Sequence, residues 1–444
     1  MMPNASMQPN LDTTKADPEF TVRFWLIAIV IGGVVGIAGG CLMRLLGAVE
    51  HSAWHYHTGD LLDAAINVSA AHRVVILCVA GVIVGLGGVI LRQIFGKSGE
   101  VTAAIWSGDG HVPTLSTITQ AAESIIVVGM GASLGREAPI KDAGGALASR
   151  LCQWARLPPS QRRLLVACGV GAGMAAAYNV PLGGALFAAE VLLGTMSLRW
   201  LLPLLLTSVI ATASSWIFLP TGPIYRVPEF PLSVSLTVWA ILAGPPLGLF
   251  AVVLVRAFKW AQDHKPTGWN AVVVPIVAFT ALGAAAIPFP QLLGNGMDVV
   301  QRAFSDQLTI SLLLVLPGLK LLATTGCLAS GTKGGLFTPT MTIGALLGCL
   351  FAHGWNHIWP GVSIGCCAVI GAGAFLTAAT QAPVSGVVLA LELTRHIDAT
   401  MVPMLLAVIG AMLVARWMQS QSIYSIRGSS KDAPASHGHS PGLG

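Results

Sequence analysis

Charge is what this 444-residue chain has least of. Asp, Glu, Lys and Arg together make up 10% of it, against roughly 25% in soluble domains. That scarcity excludes an ordinary water-soluble globular protein, and a net charge of +5 is too mild to imply nucleic acid. The eight cysteines contain no metal-spaced pair. Cys41, Cys78, Cys168, Cys366 and Cys367 lie in or beside apolar segments and read as small buried hydrophobes. No metal and no cofactor is expected. Residues 1–22 lack the apolar core of a signal peptide, so nothing there looks cleaved. The small-residue run from 428 to 444 is expected to be disordered and leaves no room for a soluble regulatory domain. His437 and His439 within it read as tail residues rather than a metal site.

What is present is apolar. The mean hydropathy is +0.74, with 54% hydrophobic residues, which places the chain among polytopic membrane proteins. Apolar stretches open at Phe24 to Leu46 and Val74 to Leu91 and continue almost unbroken to Trp417. They predict about ten full crossings, plus pieces shorter than the roughly 20 residues a spanning helix needs. Those pieces are expected to be half-helices. The 51 glycines cluster with alanine, as in Gly169 to Ala177, a composition that lets helix backbones approach closely. Basic residues, including Arg156, Arg162 and Arg163, are spread between many spans and do not fix the orientation. The expected organisation is a polar tail over 1–20, one membrane domain over 21–428 and a tail over 429–444. The domain divides into halves of approximately 21–220 and 230–428.

Three patterns imitate chemistry. Gly131-Ala132-Ser133-Leu134-Gly135 matches a hydrolase nucleophile turn, but it lies in an apolar segment with no evident His or Asp partner. Gly331-Thr332-Lys333 after Gly326 has the order of a phosphate loop reversed. Gly169, Gly171 and Gly173 lack the strand that a dinucleotide turn requires. Helix packing and helix breaks explain all three better, and no enzyme is expected.

A repeated pattern carries more. Gly135-Arg136-Glu137-Ala138-Pro139 and Gly335-Leu336-Phe337-Thr338-Pro339 share the form G-x-x-x-P, 200 residues apart. Val180-Pro181-Leu182-Gly183-Gly184 follows the first, with 42 residues from proline to proline. Ala382-Pro383-Val384-Ser385-Gly386 follows the second, with a gap of 44. Nine residues past each later proline stands a lone carboxylate, Glu190 or Glu392. This is a duplicated unit whose broken helices converge on one site at mid-membrane depth. The first turn of each half-helix exposes unpaired N–H groups and about half a positive charge. In lipid those donors need a partner, and an anion is one. At an effective dielectric near 20, half a charge about 4 Å away contributes roughly 2 kcal/mol, and two such ends roughly 4 kcal/mol. That holds a partly dehydrated anion without trapping it. Glu137 stands inside the first pentapeptide, where its carboxylate can take the anion's place until protonation releases it. The alternative is a salt bridge, to Arg136 or to Lys141 at i+4.

Gly135-Arg136-Glu137-Ala138-Pro139 resembles the G-[KR]-E-G-P signature of the CLC chloride channels and chloride/proton exchangers. Gly335-Leu336-Phe337-Thr338-Pro339 is similar to that family's G-x-F-x-P signature. Ser422-Ile423-Tyr424 resembles the segment with its inner-gate tyrosine, and the likeness runs from about Phe24 to Arg427. The resemblance implies an all-α polytopic membrane protein, a CLC-type inverted repeat of tilted and broken helices. It implies a homodimer with one pore per subunit, both termini cytoplasmic and membrane lipid around it. It makes Glu137 the external gate. It also makes chloride the transported ion, held by N–H groups near Glu137, Leu336 and Phe337 and by the Tyr424 hydroxyl.

The chain departs from the family in three places. The first signature, G-S-G-I-P, survives only in part as Lys97-Ser98-Gly99-Glu100-Val101, so Ser98 is either the inner chloride ligand or part of a charged turn. Val191 follows Glu190 where exchangers commonly carry an internal proton-accepting glutamate. Valine carries no proton, and the matched pair Glu190 and Glu392 reads as structural pairing at helix ends. Lys141-Asp142 places charge one turn past Glu137. Lys141 pairs with Glu137 and holds the gate shut, or it pairs with Asp142 or water and leaves the gate free. Ala188 to Met196 resembles the bacterial ClcB-type branch, described as voltage-gated channels. The expectation is a passive chloride channel of a bacterial inner membrane, gated by pH or voltage and acting as a charge shunt. The alternative is a chloride/proton antiporter with a non-standard proton route.

Overall fold

A computed structural model describes residues 20–96, 99–106, 108–395 and 400–428. Ser98, the tail histidines His437 and His439, and nearly all of both tails lie outside the described residues. Nineteen α-helices are described. The first ten are α1 (Val22–Trp54), α2 (Leu61–Asn67), α3 (Ala70–Val82), α4 (Gly88–Phe95), α5 (Val101–Trp106), α6 (Thr114–Gly129), α7 (Glu137–Trp154), α8 (Pro159–Tyr178), α9 (Pro181–Phe187) and α10 (Leu198–Ser215). The remainder are α11 (Val234–Asp263), α12 (Asn270–Ala285), α13 (Met297–Phe304), α14 (Ile310–Ala329), α15 (Phe337–Ile358), α16 (Ile364–Thr380), α17 (Pro383–Thr394), α18 (Met401–Trp417) and α19 (Ser425–Gly428).

Two prolines per half decide where helices begin. Pro139 and Pro339 are each the third residue of their helix, α7 and α15, where a missing N–H costs nothing because that donor has no intrahelical acceptor. Pro181 and Pro383 open α9 and α17. Each is preceded by the same break. The last helix ends on a left-handed residue, Asn179 or Gln381, both at φ 56°. Val180 or Ala382 follows, in closely matching non-helical conformations of φ -126°, ψ 71° and φ -129°, ψ 82°, since a residue before proline avoids the helical region. The duplication visible in the sequence is therefore a duplication of backbone conformation.

Five segments are long and apolar enough to cross a bilayer: α1, the run from Ala70 to Phe95, α10, α11 and α14. Among the described residues this is fewer than the ten expected, counted by length and apolarity alone. The other apolar helices, such as α12, α16 and α18, are shorter than 18 residues. The long helices α7 and α15 are instead buried among neighbours, and α7 carries Glu137, Lys141, Asp142 and Arg150.

The halves pack by the same rule. α7 lies on α8 and α15 on α16, while α1 with α10 matches α11 with α18. At the α7–α8 crossing, a Cβ on Gly144 would strike the Gly169 carbonyl and one on Gly169 would strike that of Gly144. Gly344 and Gly371 make the same reciprocal contact at the α15–α16 crossing. Lipid tails are as apolar as leucine, so such backbone approach supplies the packing. Gly169→Val is expected to destabilise the fold by about 1–3 kcal/mol through overpacking. Thermal unfolding in detergent checks this; an unchanged midpoint would contradict the close crossing.

Candidate anion site

The two pentapeptides meet at the centre. Gly135 N–H donates to the Gly335 carbonyl at 2.7 Å, and Gly335 N–H donates to that of Gly135 at 2.6 Å. This pairing is antiparallel. Equivalent residues that exchange equivalent bonds antiparallel to one another place a local two-fold axis between the two copies of the repeat. A Cβ on either glycine would collide with the Glu137 carboxylate. A side chain at either position would displace the carboxylate from where it stands.

Glu137 is fully buried at the first position of α7. Its Oε1 accepts from the Phe337 N–H, the first donor of α15, at 2.6 Å. Its Oε2 accepts from the Tyr178 hydroxyl at 3.1 Å. That hydroxyl also lies 2.6 Å from the Thr338 Oγ1. A phenol has one proton, so if Tyr178 donates to Glu137, Thr338 must donate to Tyr178. The result is a chain from Thr338 through Tyr178 to the carboxylate. The expected salt-bridge partners point elsewhere. The Arg136 guanidinium lies 5.0 Å from the centre of the Tyr178 ring. The Lys141 ammonium lies 4.7 Å from that of Phe187 and 4.4 Å from that of Tyr424.

The other broken helices are already capped. Glu190 accepts from Val384 N–H at 3.1 Å and Ser385 N–H at 2.7 Å, at the start of α17. Glu392 accepts from Leu182 N–H at 3.0 Å and Gly183 N–H at 2.6 Å, at the start of α9. Each half closes the other's helix end, as the matched spacing suggested. Glu190 stands in a π-helical turn, Ala188–Leu193, whereas Glu392 stands in regular α-helix.

Of the residues singled out from sequence, Glu137, Leu336 and Phe337 come together, framed by Gly135, Gly335, Arg136, Pro139 and Pro339. Tyr424 stands apart from that contact. The adjacent Ile423 N–H donates to the Ala379 carbonyl at 3.0 Å, and the Ser422 hydroxyl to that of Thr380 at 2.7 Å. This ties the segment to the end of α16. The Tyr424 ring meets Phe187 edge-on, 5.0 Å between centres. Ser133, the hydrolase candidate, is fully buried with its Oγ 3.4 Å from the Thr324 hydroxyl, which is not a base. Sequence reading missed Tyr178, Thr338 and Phe187. Tyr178 had a signal: one of only four tyrosines, it ends the Gly/Ala run just before a helix break.

The family model described as voltage-gated chloride channel matches residues 97–416. The chain belongs to the voltage-gated chloride channel family. It is 31% identical to the ClcB-like chloride channel protein of Ralstonia nicotianae, over 89% of this chain and 95% of that one. It is 29% identical to the voltage-gated ClC-type chloride channel ClcB of Citrobacter koseri, over 90% and 98%. Among solved structures, a slow cyanobacterial Cl−/H+ antiporter superposes with a TM-score of 0.79 at 22% identity, covering 92% of this chain and 98% of that one. A CLC-type fluoride/proton antiporter reaches 0.70 at 20% identity, covering 91% and 97%. The fold is thus the CLC membrane fold.

Hydrogen bonds to a charged group contribute about 1.5–3 kcal/mol. Removing the Tyr178 hydroxyl should therefore loosen Glu137. Tyr178→Phe is expected to raise anion flux in proteoliposomes by about tenfold or more at a pH where Glu137 is ionised. Unchanged flux would show that the hydroxyl does not hold the carboxylate.

Proposed function

We propose that this protein conducts chloride passively across a bacterial inner membrane, with Glu137 as its gate, and that it works as a homodimer with a pore in each subunit. The observation that carries the proposal is the 2.6 Å contact between the Glu137 carboxylate and the Phe337 N–H. An anion drawn to the start of α15 needs that same donor. Carboxylate and chloride therefore compete for one place. Protonation removes the carboxylate's charge and with it the advantage, so flux rises as pH falls. The Leu336 and Phe337 N–H groups and the Tyr424 hydroxyl hold the ion once Glu137 has left. Such a conductance works as a charge shunt, dissipating the potential left by other ion movements.

Two features support conduction over coupled exchange. Val191 is apolar where an internal proton acceptor would be needed, and Glu190 beside it is committed to two N–H groups of α17. The second reading, chloride/proton antiport, draws on the hydroxyl chain from Thr338 through Tyr178 to Glu137, which is a route for a proton. It also draws on the likeness to proteins described as antiporters.

Glu137→Gln mimics the protonated side chain and is expected to raise chloride flux at neutral pH and abolish its pH dependence. Retained pH dependence would remove Glu137 as the gate. The reversal potential under a tenfold proton gradient separates the two readings. A passive channel follows the chloride Nernst potential, whereas a shift with the proton gradient shows coupling.

A further inference from the structure

We infer that the cleft between the start of α6 and the end of α7 binds the headgroup of an anionic phospholipid, with Arg150 as its principal charge. The inference concerns the surrounding lipid rather than the transported ion, and it stands apart from the reading above. The cleft has a volume of about 370 Å³. Its polar end carries His111, Arg150 and Gln153, and its apolar side carries Leu115 and Ile118. Leu115 is 62% exposed, so that side opens away from the protein core. Depth follows from α7. Arg150 stands 13 residues past Glu137, about 20 Å along the helix axis, whereas half a hydrocarbon core is about 15 Å thick. With Glu137 at mid-membrane depth, as in a repeat of broken helices, α7 at any usual tilt brings Arg150 to the headgroups. Trp154, one turn further on, is 69% exposed, and tryptophan is enriched at that level.

The polar end is rich in donors. α6 opens after Pro113, and no side chain caps its first N–H groups. Thr114 and Leu115, its first two residues, line the cleft, so a helix N-terminus of the kind that binds phosphate stands at its edge. The Arg150 guanidinium lies 5.3 Å from the centre of the Trp154 ring. Stacking orients the guanidinium and uses none of its five N–H donors. The His111 ring is held in place by the Gln153 amide, 2.6 Å from its Nδ1. Asp109, whose carboxylate accepts from the His111 N–H at 2.9 Å, is paired with Arg162 at 3.2 Å, so its charge is offset before it reaches the cleft. A guanidinium and a helix N-terminus beside an apolar wall match a phosphodiester that carries an acyl chain. The phosphate meets Arg150 and the start of α6, and the chain runs along Leu115 and Ile118. A structural arginine would do no more than offset the negative end of α7, a role that needs neither the uncapped helix nor the apolar wall.

Thermal unfolding of the full-length, delipidated protein in detergent, titrated with phosphatidylglycerol, tests the assignment. Phosphatidylglycerol is expected to raise the midpoint saturably. Phosphatidylcholine has the same phosphodiester but no net charge, and it is expected to act with an apparent affinity about tenfold weaker or less. Equal effects of the two lipids would overturn the inference. Arg150→Gln is expected to weaken the phosphatidylglycerol effect by about tenfold or more. Leu115→Glu sets a carboxylate in the cleft, at a first-turn position where it suits the helix dipole. That variant is expected to fold as wild type does and to lose the phosphatidylglycerol effect. Wild-type affinity for phosphatidylglycerol in either variant would overturn the inference. Inorganic phosphate is expected not to displace the lipid; displacement would mark a site for soluble anions and overturn the assignment to lipid.

Discussion

A helix that stops inside a bilayer leaves its first N–H groups with no water to satisfy them, and the rest of this structure follows from how those ends are met. Lipid offers no donor or acceptor, so each end needs a partner from the chain or from an ion. α9 takes Glu392 and α17 takes Glu190, each from the opposite half. α15 takes Glu137. Three carboxylates therefore do chemically similar work, but only Glu137 stands at the start of α15, where the proposed anion would bind. Glu190 and Glu392 each close two N–H groups and fix the halves to each other. Glu137 instead makes one N–H contact, from Phe337, and one hydroxyl contact, from Tyr178. On the proposed reading, that difference separates a structural cap from a gate.

The inverted repeat makes such an arrangement economical. One bent unit, used twice, brings Gly135 and Gly335 into reciprocal contact and turns the ends of α7 and α15 toward one centre. The two copies then diverge at the three residues between the shared glycine and proline, and the middle one places Glu137 against Phe337. The first half puts a carboxylate at the start of its helix, and the second puts Phe337 there with a backbone donor available. Symmetry builds the contact, and on the proposed reading its violation supplies the competition.

Much of this was legible before any coordinates. The G-x-x-x-P pair, the later prolines and the lone glutamates located the helix breaks, because proline restricts where a helix can start and what precedes it. The capping roles of Glu190 and Glu392 followed from their matched spacing. The number of long apolar helices did not, because hydropathy alone does not show where an apolar run breaks into shorter helices. Tyr178 and Thr338 were missed because their contacts are tertiary: Tyr178 is 41 residues from Glu137 in sequence and 160 from Thr338. Lys141 was noticed as a charge, but the two aromatic faces that receive it come from residues 187 and 424. No local pattern announces a corner built from segments that distant.

The account depends on Glu137 and the anion claiming the same donor. Anomalous diffraction from crystals soaked in bromide tests that directly, with wild type and Glu137→Ala compared under one condition. The account predicts bromide in contact with the Phe337 N–H in the variant and none there while Glu137 holds the position. Bromide bound at that N–H beside an unmoved Glu137 side chain, or absent from it in the variant, would contradict it.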